Sequence, residues 1–444
     1  MSCWRLTVVN FKEKNVIYTQ EELKGMSIHT LRVILRSDFK GVPGTNSKQE
    51  LIRLILKIQA GEEIPVRSTK GRKPLEATAT FEKELTFSDN GDVHNFETGF
   101  IKGVFEKHAD GFGYVLRNGV HFSKKDVFVR ETFVKRLGLK TGDFVEGAYD
   151  GCGDRGGYVL KGVDFINGKN ADSYDLSESL LKVKPADAKI NLATDTDYIL
   201  NAVETFCPIG EGQRCLVKTS DNAYATDFIK RAIEAVKEND KDLSVTALLV
   251  GVKPEICADF EERFKDCVIS VDYNENLEKS VRICNLAIQS VKERVRSGDR
   301  HVLIIDRLSS LHRLLKEYLE SAQNEKYLPS AISAERFIID CFGCGANYGE
   351  KGSLTVIATV GDLEDSLYKS LSEISNSVIC FKGEGKVRKR SYRLDVANSW
   401  SESDELFNGA QKTFKIDDLR DEMCQSLEKE NEIWQKFKNF EIKI

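Results

Sequence analysis

Two short stretches hold residues spaced for recognition: Asp110-Gly-Phe-Gly-Tyr-Val-Leu-Arg117 and, nine residues further on, Asp126-Val-Phe-Val129. In a pleated strand, residues two apart project to one side, so Phe112 and Tyr114 share a face and Phe128 joins them from a neighbouring strand. Rings on an open sheet face stack on unpaired bases for roughly 1–3 kcal/mol each, with little regard to base identity. Lys102, Lys107, Arg117, Lys124 and Lys125 lie close in sequence and offer cations to the phosphates. The alternative is that the rings fill a barrel core. The interleaved glycines favour the open face, because glycine weakens a strand and permits close approach.

A second candidate is Cys341-Phe-Gly-Cys344. Its spacing suits a redox dithiol or half of a zinc site, yet no second Cys or His pair stands nearby at finger-like spacing. Eleven cysteines scattered irregularly through 444 residues fit reduced, mostly buried thiols, so no metal is expected.

The elements that must position these residues change character along the chain. Leu31, Val33, Ile34 and Leu35, then Leu51, Ile52, Leu54 and Ile55, follow helical periodicity on either side of the break Gly41-Val-Pro-Gly-Thr-Asn-Ser-Lys48. Ser47 stands three residues before Glu50, as a capping box requires. Ile64 to Pro74 is polar, basic and bracketed by prolines, and reads as a linker. From Gly99 short alternating strands follow: Phe100–Phe105, Gly111–Leu116, Asp126–Val129, Asp143–Gly147 and Gly157–Val163. Five strands in about seventy residues suit a small oligonucleotide-binding (OB-fold) barrel. Beyond Asp197, apolar strands such as Val245–Val250, His301–Asp306 and Ser353–Thr359 alternate with amphipathic helices such as Ala225–Lys237 and Leu277–Arg296. That alternation predicts an α/β domain with a largely parallel sheet. Ile416 to Phe437 reads as a charged helix.

A net charge of −5 conceals an asymmetry. Residues 21–73 carry eleven Lys and Arg against six Asp and Glu, and residues 99–170 twelve against nine. Such clustering suits phosphate backbones, and a solvated surface equally. At 41% hydrophobic and 30% charged residues the composition excludes a disordered chain. No apolar run approaches the roughly 20 residues that span a bilayer, and the start lacks a secretory signal, so a cytoplasmic protein without membrane contact is expected.

Asp110-Gly-Phe-Gly-Tyr114, Asp126-Val-Phe-Val129, Leu137-Gly-Leu-Lys-Thr-Gly-Asp-Phe-Val-Glu-Gly147 and Gly157-Tyr-Val-Leu-Lys-Gly-Val163 follow, in order, the pattern of the RNA-binding barrel of the bacterial Rho family of transcription termination factors. The N-terminal helices resemble SAP and Rho N-terminal modules. Cys207-Pro-Ile-Gly-Glu-Gly-Gln-Arg214 is similar to the segment leading into the family's ATP-binding loop, and Gly352–Thr359 to a later motor strand. The resemblance runs from about residue 20 to 410. It implies that Phe112, Tyr114 and Phe128, with Asp126 and Tyr158, hold single-stranded RNA.

The departures from that family fall on the motor. A phosphate-binding loop needs Gly-x4-Gly-Lys-Ser/Thr so that backbone amides wrap the phosphates and the lysine meets their charge. The matching stretch here is Thr219-Ser-Asp-Asn-Ala-Tyr-Ala-Thr226, with Tyr224 for glycine, Ala225 for lysine and Asp221 adding negative charge. Asp306 ends the strand whose aspartate helps to hold magnesium, although a terminal aspartate is also common for structural reasons. Val252 matches the catalytic glutamate and cannot accept a proton, and Asn398 stands where an arginine finger is expected. Two channel loops match Leu328-Pro-Ser-Ala-Ile-Ser333, without paired glycines, and Ser370-Leu-Ser-Glu-Ile-Ser-Asn376, where Ser372 replaces a lysine.

The expectation is a multidomain chain of α+β and α/β class. It comprises an N-terminal strand and helical module (1–62), a linker (63–98), an OB-fold, cold-shock-like barrel (99–170), a connector (171–198), a degenerate RecA-like domain (199–410) and a C-terminal helical segment (411–444). The expected function is RNA binding without ATP hydrolysis, with no catalytic residues and no cofactor, ATP and magnesium included. Expected partners are single-stranded RNA, Rho or the RNA polymerase machinery, and further subunits in a homo- or hetero-oligomeric ring, modulating Rho-dependent termination. Two alternatives stand beside it: an RNA-dependent ATPase with an unorthodox nucleotide site, and a scaffold whose barrel no longer binds RNA.

Overall fold

The computed structural model describes residues 19–26, 28–37, 47–59, 85–87, 93–95, 98–151, 157–174, 183–186, 188–219, 221–272, 274–321, 332–361, 363–384, 391–402 and 404–442. The N-terminal strand, the Ile64–Pro74 linker and most of the first channel loop lie outside them. Two compact units divide the chain, one spanning residues 4–179 and the other residues 180–444 together with the first three.

The first unit begins with helices α1 (Gln20–Gly25), α2 (Ile28–Ser37) and α3 (Lys48–Gln59). Thr19 and Glu22 form a capping box on α1, each side chain bonding to the other's backbone. Leu23, Leu31, Leu35, Leu51 and Ile55 are fully buried in this helical module's core. A short antiparallel hairpin, β1 (Leu85–Phe87) and β2 (Val93–Asn95), lies within the stretch expected to be linker. Asn90-Gly91 between its strands is a hairpin-favouring pair that the basic, proline-bracketed composition upstream overshadows.

The barrel strands are β3 (Thr98–Lys107), β4 (Gly113–Leu116), β5 (Val127–Val129), β6 (Phe144–Gly151) and β7 (Tyr158–Leu160), with α4 (Glu131–Leu137) between β5 and β6. The order β3-β4-β5-β7-β6 closes through β3–β6 pairing from Thr98↔Asp150 to Val104↔Phe144. Only β5 and β7 pair in parallel. Short strands β8 (Phe165–Ile166) and β9 (Lys169–Asn170) extend the sheet. Alternation turns Phe105, Val115, Val127, Val129, Val145 and Leu160 inward, all at most 1% exposed. The helical module is fastened to this barrel by the Thr30 hydroxyl donating to Asp164 at 2.5 Å and by Asn170 Nδ2 donating to the Gly25 carbonyl at 2.8 Å.

The second unit is an α/β domain built on a mostly parallel sheet. After α5 (Tyr198–Phe206), strands and helices alternate: β10 (Arg214–Thr219), α6 (Asn222–Asn239), β11 (Ser244–Val252), α7 (Pro254–Arg263), β12 (Val268–Asp272), α8 (Leu277–Arg296), β13 (Arg300–Asp306), α9 (Leu308–Ser321), α10 (Ala334–Phe342), β14 (Ala346–Asn347), β15 (Ser353–Val360) and α11 (Asp365–Ile374). The sheet runs β12-β11-β13-β15-β10-β16-β17, parallel until the edge, where β16 (Ser377–Glu384) pairs antiparallel with β17 (Ser391–Leu394) and with β18 (Trp400–Ser401). With helices on both faces the central strands are buried on both sides, and every residue of β15 is buried. The charged C-terminal stretch is helical but starts earlier than its periodicity suggests and breaks at Ser426: α12 (Asp404–Asn408), α13 (Ala410–Gln425) and α14 (Leu427–Lys438). Trp434 and Phe437 anchor α14 against Tyr198 and Phe206 of α5.

Candidate nucleic-acid interface and the β10–α6 junction

Tyr114 on β4 and Phe128 on β5 are direct cross-strand partners, with ring centroids 5.7 Å apart. Phe112, just before β4, lies 5.4 Å from Phe128 and 6.0 Å from Tyr114. All three rings are half-buried. Gly113 between them is required by packing, since a Cβ there would run into the Phe105 ring and the Glu106 carbonyl. Two rings join that the sequence did not announce. His108 stacks on Phe112 at 4.4 Å with planes 10° apart, and Phe122 meets Tyr114 edge-on at 5.6 Å. Both sit outside the strands, where no periodicity marks them.

Asp126 is buried and its carboxylate is occupied. It accepts from the Arg117 N–H (3.0 Å), the Ser123 N–H (2.6 Å) and the Ser123 hydroxyl (3.1 Å), so it closes the loop from residue 117 to 126. Arg117 donates from Nε to the Lys125 carbonyl at 2.5 Å and lays its guanidinium over Tyr149 (4.4 Å) and Tyr158 (5.1 Å). Tyr158 thus belongs to a second aromatic group, packed edge-on against Tyr149 at 5.3 Å. Lys107, Lys124 and Lys125 are exposed at the borders of the ring cluster. Lys102 is ion-paired with the buried Glu146 at 2.5 Å, which neutralises its charge locally.

In the second unit β10 ends at Thr219 and α6 already begins at Asn222. Asn222 to Thr226 of the stretch matched to a wrapping loop are thereby helical, and the Ala223 and Tyr224 amides bond back to Asp221. Asp221 is that cap, its carboxylate accepting the Ala223 N–H at 2.8 Å, so an acidic side chain holds the position where a helix N-terminus would meet phosphate. Tyr224 stacks on Tyr392 of β17 at 5.0 Å with planes 23° apart. The Tyr392 hydroxyl donates to Asp227 (2.8 Å), which pairs with Arg231 (2.7 Å), and Arg231 with Asp197 (2.6 Å). Ala225 is buried.

Asp306 is fully buried, and loss of hydration pushes its carboxyl pKa up, against hydrogen bonds from the Thr359 and Thr226 hydroxyls at 2.6 and 3.4 Å. Val252 is buried at the end of β11. Asn398 is exposed in a 3-10 turn, donating to Asp395 at 2.8 Å. Ser370 to Ile374, matched to a channel loop, form the last turn of α11. Ser372 there is half-buried, its hydroxyl enclosed without a hydrogen-bond partner. Cys341 is buried, and the Cys344 thiol donates to the Cys341 carbonyl. Among the described residues no three His, Cys, Asp or Glu side chains are grouped to hold a metal ion, and no helix is long and apolar enough to cross a membrane.

Residues 101–172 match the family model "Rho termination factor, RNA-binding domain". Transcription termination factor Rho of Allochromatium vinosum is 25% identical over 422 residues, covering 90% of this chain and 91% of its own length. Its counterpart from Thermotoga maritima is 26% identical, covering 76% and 73%. Among solved structures, a prototypical ATPase from a bacterial type III secretion system superposes with a TM-score of 0.43 at 13% identity, over 60% of this chain and 77% of that one. The chain thus carries a barrel that matches the Rho RNA-binding domain and is similar along most of its length to the Rho termination factors of distant bacteria.

Proposed function

We infer that this protein binds single-stranded RNA through the barrel face of Phe112, Tyr114 and Phe128, does not hydrolyse ATP, and modulates Rho-dependent termination by competing for RNA or by joining a Rho ring. The observation that carries the loss of hydrolysis is the junction between β10 and α6. With the helix starting at Asn222 and capped by Asp221, an acidic side chain takes the Ala223 amide, and no lysine stands at position 225 to receive phosphates. Tyr224 occupies the adjoining space by stacking on Tyr392. The absence of a carboxylate at Val252 and of a guanidinium at Asn398 supports the same reading.

An RNA-dependent ATPase with an unorthodox site is the second reading, favoured by one observation: Thr226 and Asp306 remain 3.4 Å apart, as a magnesium-binding pair would. Burial of Asp306 weighs against it.

RNA binding is tested with the full chain by titrating labelled single-stranded RNA over a salt series. Tight binding that weakens with salt is expected, with a loss of about 10-fold or more in Phe112→Ala/Tyr114→Ala. Binding unchanged by that double substitution would place the RNA elsewhere.

A further inference from the structure

Phe122 is the one large apolar side chain among the described residues of the first unit that lies mostly in solvent, at 53% exposure. It does not stand alone on the surface. Its ring continues the cluster beyond Tyr114, edge-on at 5.6 Å, so that Phe128, Tyr114 and Phe122 form a row. An exposed ring contiguous with a stacking platform is a binding feature more readily than a stray hydrophobe.

The loop that carries it is fixed from within. Asp126 ties Arg117 to Ser123, the Ser123 hydroxyl accepts the Lys125 N–H at 3.2 Å, and Asn118 bridges to His121. A ring presented by a pre-ordered loop meets a ligand with little further loss of conformational entropy. Directly after it, Lys124 and Lys125 are exposed, so cations follow the ring in the order in which phosphate follows base along a strand.

We propose that Phe122 is an additional base-stacking face that lengthens the RNA site by one unpaired nucleotide, with Lys124 and Lys125 meeting the adjoining phosphate. This rests on the reading of the barrel as an RNA-binding surface. The step is one of binding alone, and the ligand class is a flexible single strand rather than a duplex, whose bases are already stacked.

The test uses the full-length protein and fluorescently labelled oligouridylates of two to eight nucleotides. In the unaltered protein affinity rises with length to a plateau. Phe122→Ala is expected to bring the plateau in by one nucleotide and to weaken binding of the longer oligomers about 5- to 100-fold, while the shortest bind as before. Phe122→Tyr restores the original profile. Phe122→Trp is expected to gain an emission component, absent from the parent, that long oligomers quench and the shortest do not. Equal affinity of Phe122→Ala and parent at every length overturns the proposal. So does an equal loss at every length, which would make Phe122 a prop for Tyr114. An unaltered protein that binds no oligomer sinks the barrel reading itself.

Discussion

At the scale of single residues, Asp126 organises the barrel face by closing a loop, with both carboxylate oxygens engaged by backbone or side-chain donors of that loop. Asp126→Ala leaves the Arg117 and Ser123 amides without their acceptor, and a stability loss of about 1–3 kcal/mol is expected in urea denaturation, with RNA affinity falling alongside. Asp306 presents the opposite case. Burial raises its pKa, so the folded state holds the proton more tightly than the unfolded chain, and stability falls as pH rises from the ordinary carboxyl value through the raised one. Asp306→Asn keeps an acceptor for Thr359 without a charge. Its denaturation midpoint is expected to be no lower than that of the parent, with an advantage that grows as pH rises above the ordinary carboxyl value. A working magnesium site would instead need that carboxylate charged. Phe112, Tyr114 and Phe128 were legible in the sequence because strand alternation fixes which side a ring faces. His108 and Phe122 were not, because turns carry no period and only folding brings them beside the others.

At the scale of elements, the proposed loss of hydrolysis rests on the transition from β10 to α6. Tyr224 is held by Tyr392, whose hydroxyl leads on through Asp227 and Arg231 to Asp197, so α6 and β17 are braced against each other. Restoring the two missing loop residues with Tyr224→Gly/Ala225→Lys is expected to lose about 3 kcal/mol, from the removed ring, a helical glycine and a lysine placed at a buried position, without gaining ATP hydrolysis. Stable protein with activity would show that side-chain identity alone had closed the site. On β13, His301 is fully buried, and burial with the nearby Arg294 charge holds its pKa well below the usual value. The unfolded chain therefore binds the extra proton below about pH 6.5, and stability is full above that value and falls on acidification, by up to about 1.4 kcal/mol per pH unit. Chemical denaturation at pH 7.5 and 5.5 checks this, and His301→Gln is expected to flatten the difference. The parallel strands were legible as short apolar runs between amphipathic helices. The start of α6 was not, because Ser220, Asp221 and Asn222 serve a loop or a helix cap equally well, and tertiary packing of Tyr224 selects the cap.

At the scale of the whole molecule, the proposed function pairs an aromatic face in one unit with a closed phosphate site in the other. In the function proposed above, the chain joins a Rho ring and brings neither a phosphate-binding loop nor an arginine finger. Mixed with a competent Rho, it is expected to lower termination more than in proportion to its share of subunits. Strictly proportional loss, or none at equimolar addition, would argue for competition on RNA alone or for no interaction. The most direct measurement is ATP hydrolysis by the full chain at saturating single-stranded RNA, beside a competent Rho under the same conditions. No RNA-stimulated turnover from a preparation that demonstrably binds the RNA is the expected result. Turnover that rises with RNA and is abolished by Asp306→Asn would contradict the reading of Asp221, Tyr224, Ala225 and Val252 and establish a nucleotide site built around Thr226 and Asp306.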